Sequence, residues 1–285
     1  MAKMKKSVTG TSPVWQVCTY AVLLLVVLVA VFPAIWMLST SIKLPTEQYD
    51  IPPQIIPDTP TISNYVNVLT NSKMYQAFVN SVIITVCVVA VTLFISILAG
   101  YGLSRYKFKG HGILKIALLF GQMIPSVVII IPLYFLVAKT GLLDTHFSLI
   151  MADMALTIPM GVIMLSSFFE TVPKELEEAA KIDGCNTLKT LWYVIVPMLK
   201  PSLVSCALFQ FMWTNNDFQG PLIYIADMQK YTNSVYLRMS MDGDVGFQWN
   251  RILAMSLISI VPSLIVFFCA QDSFIDGIAA GGVKG

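Results

Sequence analysis

The sequence predicts an all-α polytopic membrane protein with six transmembrane helices, and three observations carry that prediction. Of the 285 residues, 56% are hydrophobic and only 12% are charged, where a typical soluble domain has roughly 25% charged residues. Mean hydropathy is +0.74. Apolar runs long enough to span a bilayer occur six times; about 20 residues at about 1.5 Å each cross about 30 Å of hydrocarbon with every backbone polar group bonded internally. Finally, the basic residues sort onto alternate sides of these runs.

The first span, about 15–39, follows the basic start MAKMKK. Its apolar core from Val17 to Met37 exceeds the roughly 7–15 residues of a secretory h-region, so it reads as a retained helix. The remaining spans run about 77–103, 113–137, 147–169, 202–225 and 252–274. Lys3, Lys5, Lys6, Arg105, Lys107, Lys109, Lys115, Lys174, Lys181, Lys189, Lys200 and Lys284 share one side; Lys43, Lys73, Lys139, Lys230, Arg238 and Arg251 fall on the other. The richer side is cytoplasmic by the positive-inside bias, which puts both termini, the SRYKFKGHG turn and a charged loop at 170–200 in the cytoplasm. Loops 40–76 and 226–251 then face outward. Neither is long or apolar enough to fold alone, so residues 1–285 read as a single transmembrane domain.

Pro33, Pro125, Pro132, Pro159, Pro221 and Pro262 lie within spans. Either bundle neighbours satisfy the freed carbonyls, or kinks in the third, fourth and sixth spans open a midplane cavity whose walls rock. Together they favour a moving pathway over a rigid anchor.

Several function classes are excluded. A net charge of +2 with scattered basic residues gives no nucleic-acid surface. Cys18, Cys87, Cys206 and Cys269 sit in apolar runs, Cys185 lies in the charged loop, and no pair has metal or disulfide-framework spacing. His111 and His146 fall on opposite sides of the membrane, so no catalytic triad or two-histidine metal site forms. No Gly-Lys pair exists for a phosphate-binding loop.

The charged loop contains EEAAKIDGCNTLKTLWYVIVPMLKP, residues 177–201. Pro173 suits a helix's first turn, Glu175, Glu177 and Glu178 suit its positive end, and Gly184 supplies a stop. Leu176, Ala179 and Ala180 make one narrow face at i, i+3, i+4 spacing. Asn186 or Thr187 can cap a second short helix, ended by Pro197 and Pro201. Such a helix, turn and helix is either a protruding knob for a partner or an amphipathic connector on the headgroups.

The spacing resembles the signature loop of ABC-importer membrane subunits: Glu-Ala-Ala, three residues, Gly, nine residues, Ile, any residue, Leu, Pro. Here it reads Glu178, Ala179, Ala180, Gly184, Val194, Val196 and Pro197. Both aliphatic positions depart conservatively and the register is intact. The resemblance covers nearly the whole chain and is greatest to the carbohydrate-uptake group that includes maltose-type permeases, through YGLSRYKFKG, IIPLYFLVAKTGLLDT, VPKELEEAAKIDG, WTNNDFQGPLIY and the tail GIAAGGVKG. In the fifth span Thr214 and Asn215 separate Trp213 from Asn216, Asp217 and Phe218, a departure from the usual contiguous element.

The resemblance implies a type I ABC importer permease-like bundle with a cytoplasmic coupling helix, in a bacterial or archaeal cell membrane. Glu178, Ala179, Ala180, Asp183, Gly184 and Pro197 would serve ATPase coupling. The implied partners are a second homologous permease subunit, two ATP-binding subunits that hold ATP and Mg, an extracytoplasmic solute-binding protein, and a carbohydrate; the chain itself needs no cofactor. The carboxy-terminal GGVKG is either a free end or a contact to the ATPase pair. Asp153, Asn216 and Asp217 are substrate-path candidates, since charge at membrane depth faces a cavity or a partner; for both acids an interhelical hydrogen bond is the plainer role. Two alternatives stay open: an importer of a non-sugar solute, and a self-sufficient secondary transporter with Asp153 and Asp217 on coupling ions.

Overall fold

The computed structural model describes residues 13–241 and 248–282, with side chains over 14–241 and 248–271. Lys3, Lys5, Lys6, Lys284 and the end of the GIAAGGVKG tail therefore lie outside the described residues. Described residues form helices and no strands. In chain order the helices are α1 Pro13–Ser41, α2 Ser63–Thr70, α3 Ser72–Arg105, α4 His111–Met123, α5 Ser126–Lys139, α6 His146–Thr171, α7 Glu175–Ile182, α8 Thr187–Lys189, a π-helical segment Thr190–Ile195, α9 Val196–Met198, α10 Lys200–Asn215, α11 Gln219–Tyr224, α12 Asn233–Met239 and α13 Trp249–Gly282. Four helices are individually long and apolar enough to cross a membrane, and six spans result if each of two bent pairs counts as one.

Two of the expected spans are broken helices. The run read as 113–137 is α4 and α5, bent by 101°. Ile124 is extended and Pro125 stands at the cap of α5, because a residue before proline is pushed out of the helical region and proline brings no N–H to continue the ladder. The run read as 202–225 is α10, a break at residues 216–218, and the short α11. Prolines elsewhere are absorbed: Pro33, Pro132, Pro159 and Pro262 lie inside continuous helices. The expected kinks in the fourth and sixth spans thus do not interrupt α6 or α13. Pro197 and Pro201 do not end a helix either; each sits at the start of one, in α9 and α10. The segment Thr187–Met198 meets α10 at 83°.

The chain divides into two compact units, residues 1–68 with 244–257 and residues 69–243 with 258–285. In the first, a polar knot ties down the turn after α1. Asn64 Nδ2 donates to the carbonyls of Ser41 (2.8 Å) and Lys43 (2.9 Å), and Asn250 Nδ2 donates to Lys43 O and Asn64 Oδ1. Lys43 Nζ donates to Gln54 O at 2.6 Å and lies 5.0 Å from the Trp36 ring centroid.

The second unit is built on the packing of α3 against α6. A side chain at Gly100 on α3 would stand 3.1 Å from Ser166 N and 3.2 Å from Val162 O. Gly161 on α6 likewise lies directly against Ser96 and Gln210. Close approach of small residues substitutes for the hydrophobic effect, which lipid does not supply between helices. α10 joins α3 through the Thr92 hydroxyl, which donates to Gln210 Oε1 at 2.9 Å, and meets α6 where Gln210 lies against Gly161. Apolar clusters fill the two ends, one around Leu165, Phe169, Leu191 and Ile195, the other around Ile84, Val88, Leu149 and Tyr224.

The loop between α5 and α6 is pinned by Asp144 at φ +59. Its Oδ1 accepts from the Ala226 and Asp227 N–H groups at 3.0 Å each, and its Oδ2 meets Lys230 Nζ at 2.9 Å. The Asp227 N–H, then the Lys230 ammonium, hold its carboxyl down at about 2.

Two outcomes follow from this packing. Gly100→Val should destabilise the solubilised protein by about 1–3 kcal/mol through overpacking against rigid backbone, whereas Gly102→Ala, with nothing within 4 Å of its added carbon, should be neutral or stabilising; thermal melts decide both. The Asp144 carboxyl is depressed below its usual ~3.9, so its contribution is complete above about pH 4 and disappears as pH falls toward 2. Asp144→Asn, which keeps the left-handed turn, should lose that segment of the pH dependence in melts between pH 5 and pH 2.5.

Candidate functional site

The first site is the charged loop. α6 ends at Thr171, Val172 is extended ahead of Pro173, and Lys174 O accepts the N–H groups of Glu177 (2.9 Å) and Glu178 (3.1 Å). α7 therefore begins at Glu175, with Pro173 just outside its first turn rather than in it. Glu175, Glu177 and Glu178 stand at the positive end of the helix dipole. At the other end Gly184 adopts φ +82. Its N–H bonds Lys181 O at 3.0 Å and the Cys185 N–H bonds Ala180 O at 2.9 Å, the paired bonds of a Schellman ending. Asn186 Oδ1 then accepts from the Lys189 N–H at 2.9 Å and opens the next helical run.

The faces of α7 differ from the sequence expectation. Leu176, Ala179 and Ala180 were expected to share one docking face. Instead Ala180 is buried, Leu176 packs onto the cluster of Phe169, Leu191 and Ile195, and Ala179 is exposed. The cause is Glu177. Arg105 Nε, at the end of α3, bonds Glu177 Oε1 at 2.5 Å while another guanidinium nitrogen donates to Val172 O at 3.0 Å. The Tyr101 hydroxyl donates to Glu177 Oε2 at 3.0 Å. The two charged side chains keep only 7% and 11% of their exposure. Drawing Glu177 inward turns Leu176 and Ala180 toward the core and leaves Glu178, Ala179, Asp183, Gly184 and an 87% exposed Ile182 outside. Pro197 is also exposed, but in α9, beyond the π-helical segment.

The second site is a cavity of about 530 Å³ at the α10–α11 break, walled by Ile130, Phe209, Met212, Trp213 and Phe218 among others, with Ser126, Asn216, Asp217 and Gln219 as its polar groups. Asn216 Nδ2 donates to Met212 O at 2.7 Å and closes α10. The Asp217 carboxylate accepts the N–H groups of Gln219 and Gly220, each at 3.1 Å to its nearer oxygen, and starts α11. Of the three path candidates the structure brings Asn216 and Asp217 together here. Asp153 is 4% exposed on α6 and is not among the residues lining this cavity. Among the described residues no group of three His, Cys, Asp or Glu side chains is placed to hold a metal.

Sequence reasoning missed Tyr101 and Arg105 as parts of the loop site; Arg105 counted only toward charge bias, and nothing in one sequence joins it to a residue 72 positions away. It also passed over Gln122 and Gln210, although an amide inside an apolar run was a readable signal.

Comparison with known proteins adds the family. Residues 92–274 match the family described as binding-protein-dependent transport system inner membrane component. The inner membrane ABC transporter permease protein YcjP of Escherichia coli is 31% identical, over 93% of this chain and 95% of that protein. The trehalose/maltose transport system permease protein MalG of Thermococcus litoralis is 32% identical, over 92% of this chain and 94% of that one. Among solved structures, a subunit of a bacterial ABC transporter involved in import of the acidic polysaccharide alginate superimposes with a TM-score of 0.82 at 22% identity, covering 95% of this chain and all of that one. With a membrane helix fold, an intact signature loop and a family match over most of its length, the chain belongs to the binding-protein-dependent transport family of ABC importer permeases, as a transport subunit rather than an enzyme.

Proposed function

We propose that this chain is the membrane-spanning subunit of an ATP-driven carbohydrate importer, forming part of the translocation path and passing motion between that path and separate ATPase subunits. The observation that carries the reading is the charged loop: its signature register is intact, and its first helix is fastened to α3 through Glu177 while the opposite face stays exposed. Glu178, Ala179, Ile182, Asp183 and Gly184 are the surface offered to an ATPase groove. The trehalose/maltose permease relative supports a sugar as cargo, and the family description supports delivery by a binding protein.

On this reading two ATP-binding subunits hold ATP and Mg, because this chain has no Gly-Lys pair for a phosphate loop. A second homologous permease completes the path, and an extracytoplasmic solute-binding protein loads it. Loop 170–200 and both termini face the cytoplasm of a bacterial or archaeal cell. The ion-coupled alternative, with Asp153 and Asp217 on coupling ions, gives the exposed face of the signature loop no partner, whereas the importer reading does.

Reversing a two-state path from 1:99 to 99:1 takes about 5.5 kcal/mol of differential free energy, so the joint between loop and helices must not yield. Gly184→Val forces a β-branched residue into φ +82; ATP hydrolysis in the purified importer should persist while coupled uptake falls at least tenfold, with all subunits still co-purifying. Glu177→Gln leaves the Arg105 charge buried without its partner, a loss of about 3–5 kcal/mol expected as a lower melting temperature and reduced uptake. The Arg105→Gln, Glu177→Gln double variant should recover part of that stability in a double-mutant cycle.

A further inference from the structure

The cavity at the α10–α11 break does not stand alone. A smaller chamber of about 70 Å³ shares Leu156, Phe209 and Trp213 with it and reaches Gln122 and Gln210. The larger chamber alone falls within the roughly 300–1,000 Å³ of small-molecule sites. Its walls combine two kinds of surface. Trp213 and Phe209 line both chambers, and amides supply most of the polar groups, with Ser126, Thr157 and Asp217.

The amides are only half engaged. Gln219 Oε1 accepts from the Ser126 hydroxyl, so its NH₂ remains as a donor. Gln122 and Asn216 donate to the backbone carbonyls of Leu156 and Met212, leaving their oxygens as acceptors. Gln210 Oε1 takes the Thr92 hydroxyl, while its Nε2 is buried without a partner among the described residues. The residue is 1% exposed, and an unpaired amide at that depth is costly. Gln219 thus offers a donor and Gln122 and Asn216 offer acceptors beside the aromatic side chains, while Gln210 Nε2 lies in the helix seam against Gly161. A pyranose matches this: its hydroxyls both donate and accept, and its C–H faces lie on aromatic rings.

Charge narrows the class. Among the described residues no Lys, Arg or His lines either chamber, and the single ionisable lining group is the Asp217 carboxyl. A carboxylated or sulfated sugar would find no cation there to pair with.

Resting on the carbohydrate reading above, we propose that this paired cavity is a subsite on this chain's own wall for a neutral pyranose unit, selecting against anionic sugars. The test uses the complete importer in proteoliposomes, with maltotriose, cellotriose and chitotriose as neutral probes and trigalacturonate and trimannuronate as anionic ones. ATP-dependent uptake of a neutral probe is expected, and Trp213→Leu and Gln219→Leu should each lower it at least tenfold while the solute-binding protein's own affinity is unchanged. Trp213→Phe should restore most of the loss, and the Leu variants should keep parental ATPase activity and melting temperature in the assembled complex, which a structural defect would lower. Uptake of an anionic probe by the parent importer would overturn the charge selection and leave the carbohydrate reading standing. Parental uptake kinetics in both Leu variants would overturn the subsite and point to a partner permease filling the cavity. Failure of the assembled complex to import these five or any other mono- or oligosaccharide in a wider ATP-dependent uptake screen would remove the carbohydrate reading itself, and this proposal with it.

Discussion

The Arg105–Glu177 pair is the constraint on which the loop site depends. An eight-residue helix is not stable alone, since nucleation is unfavourable and isolated helices shorter than about 12–15 residues are marginal. α7 exists because its inner face is fastened at both polar and apolar points: Glu177 to Arg105 and Tyr101, Leu176 to the cluster around Phe169 and Ile195. Desolvating two charges is unfavourable unless geometry and extra hydrogen bonds compensate. Here Val172 O and the Tyr101 hydroxyl supply those bonds. A residue pair that merely needed stability would be better served by apolar side chains of similar volume. What the ion pair adds is direction, holding a particular face of α7 outward.

Beyond the pair, the mechanical path is short and made of backbone in contact. α3 carries Tyr101 and Arg105 at one end, and one turn earlier Gly100 brings it against Val162, Leu165 and Ser166 of α6. Gly161, one residue before Val162, touches Ser96 and Gln210, and Gln210 lines the inner chamber of the cavity. Glycines remove the side-chain cushion that would let helices slide independently. α7, α3 and α6 are thus joined by contacts with little free space between them.

The helices were legible because bilayer thickness dictates length and hydropathy declares it; α3, α6 and most of α13 fall close to their expected spans. The breaks were not. Pro125, Pro132, Pro159 and Pro262 look alike in sequence, yet only Pro125 coincides with an interruption, since tolerance depends on neighbouring helices a single sequence does not place. The spacing of Leu176, Ala179 and Ala180 marked α7 as a helix, but the face it offered to a partner is split, with Leu176 and Ala180 turned inward and Ala179 exposed. It could not say that Glu177, a first-turn acid on any dipole argument, would set the rotation. Asp217 was legible as an unusual acid; its position two residues before Gln219 is also that of a helix-starting side chain, a local role the sequence reading did not assign.

Both interruptions lead to the same place. Ser126 follows the α4–α5 break and Asn216 to Gln219 form the α10–α11 break, and all of them line the larger chamber. Within a bilayer, non-helical backbone is tolerated only where it is buried in protein or borders a polar cavity, so two coincident breaks argue that this region is not presented to lipid. The side chains at the breaks are chosen accordingly. Asp217 takes two of the N–H groups freed at the start of α11, Asn216 takes a carbonyl at the end of α10, and Ser126 bonds across to Gln219. A continuous helix at 202–225 would have needed none of these groups. It would also have left no cavity, so the polar residues of the fifth span are explained by the interruption they stabilise.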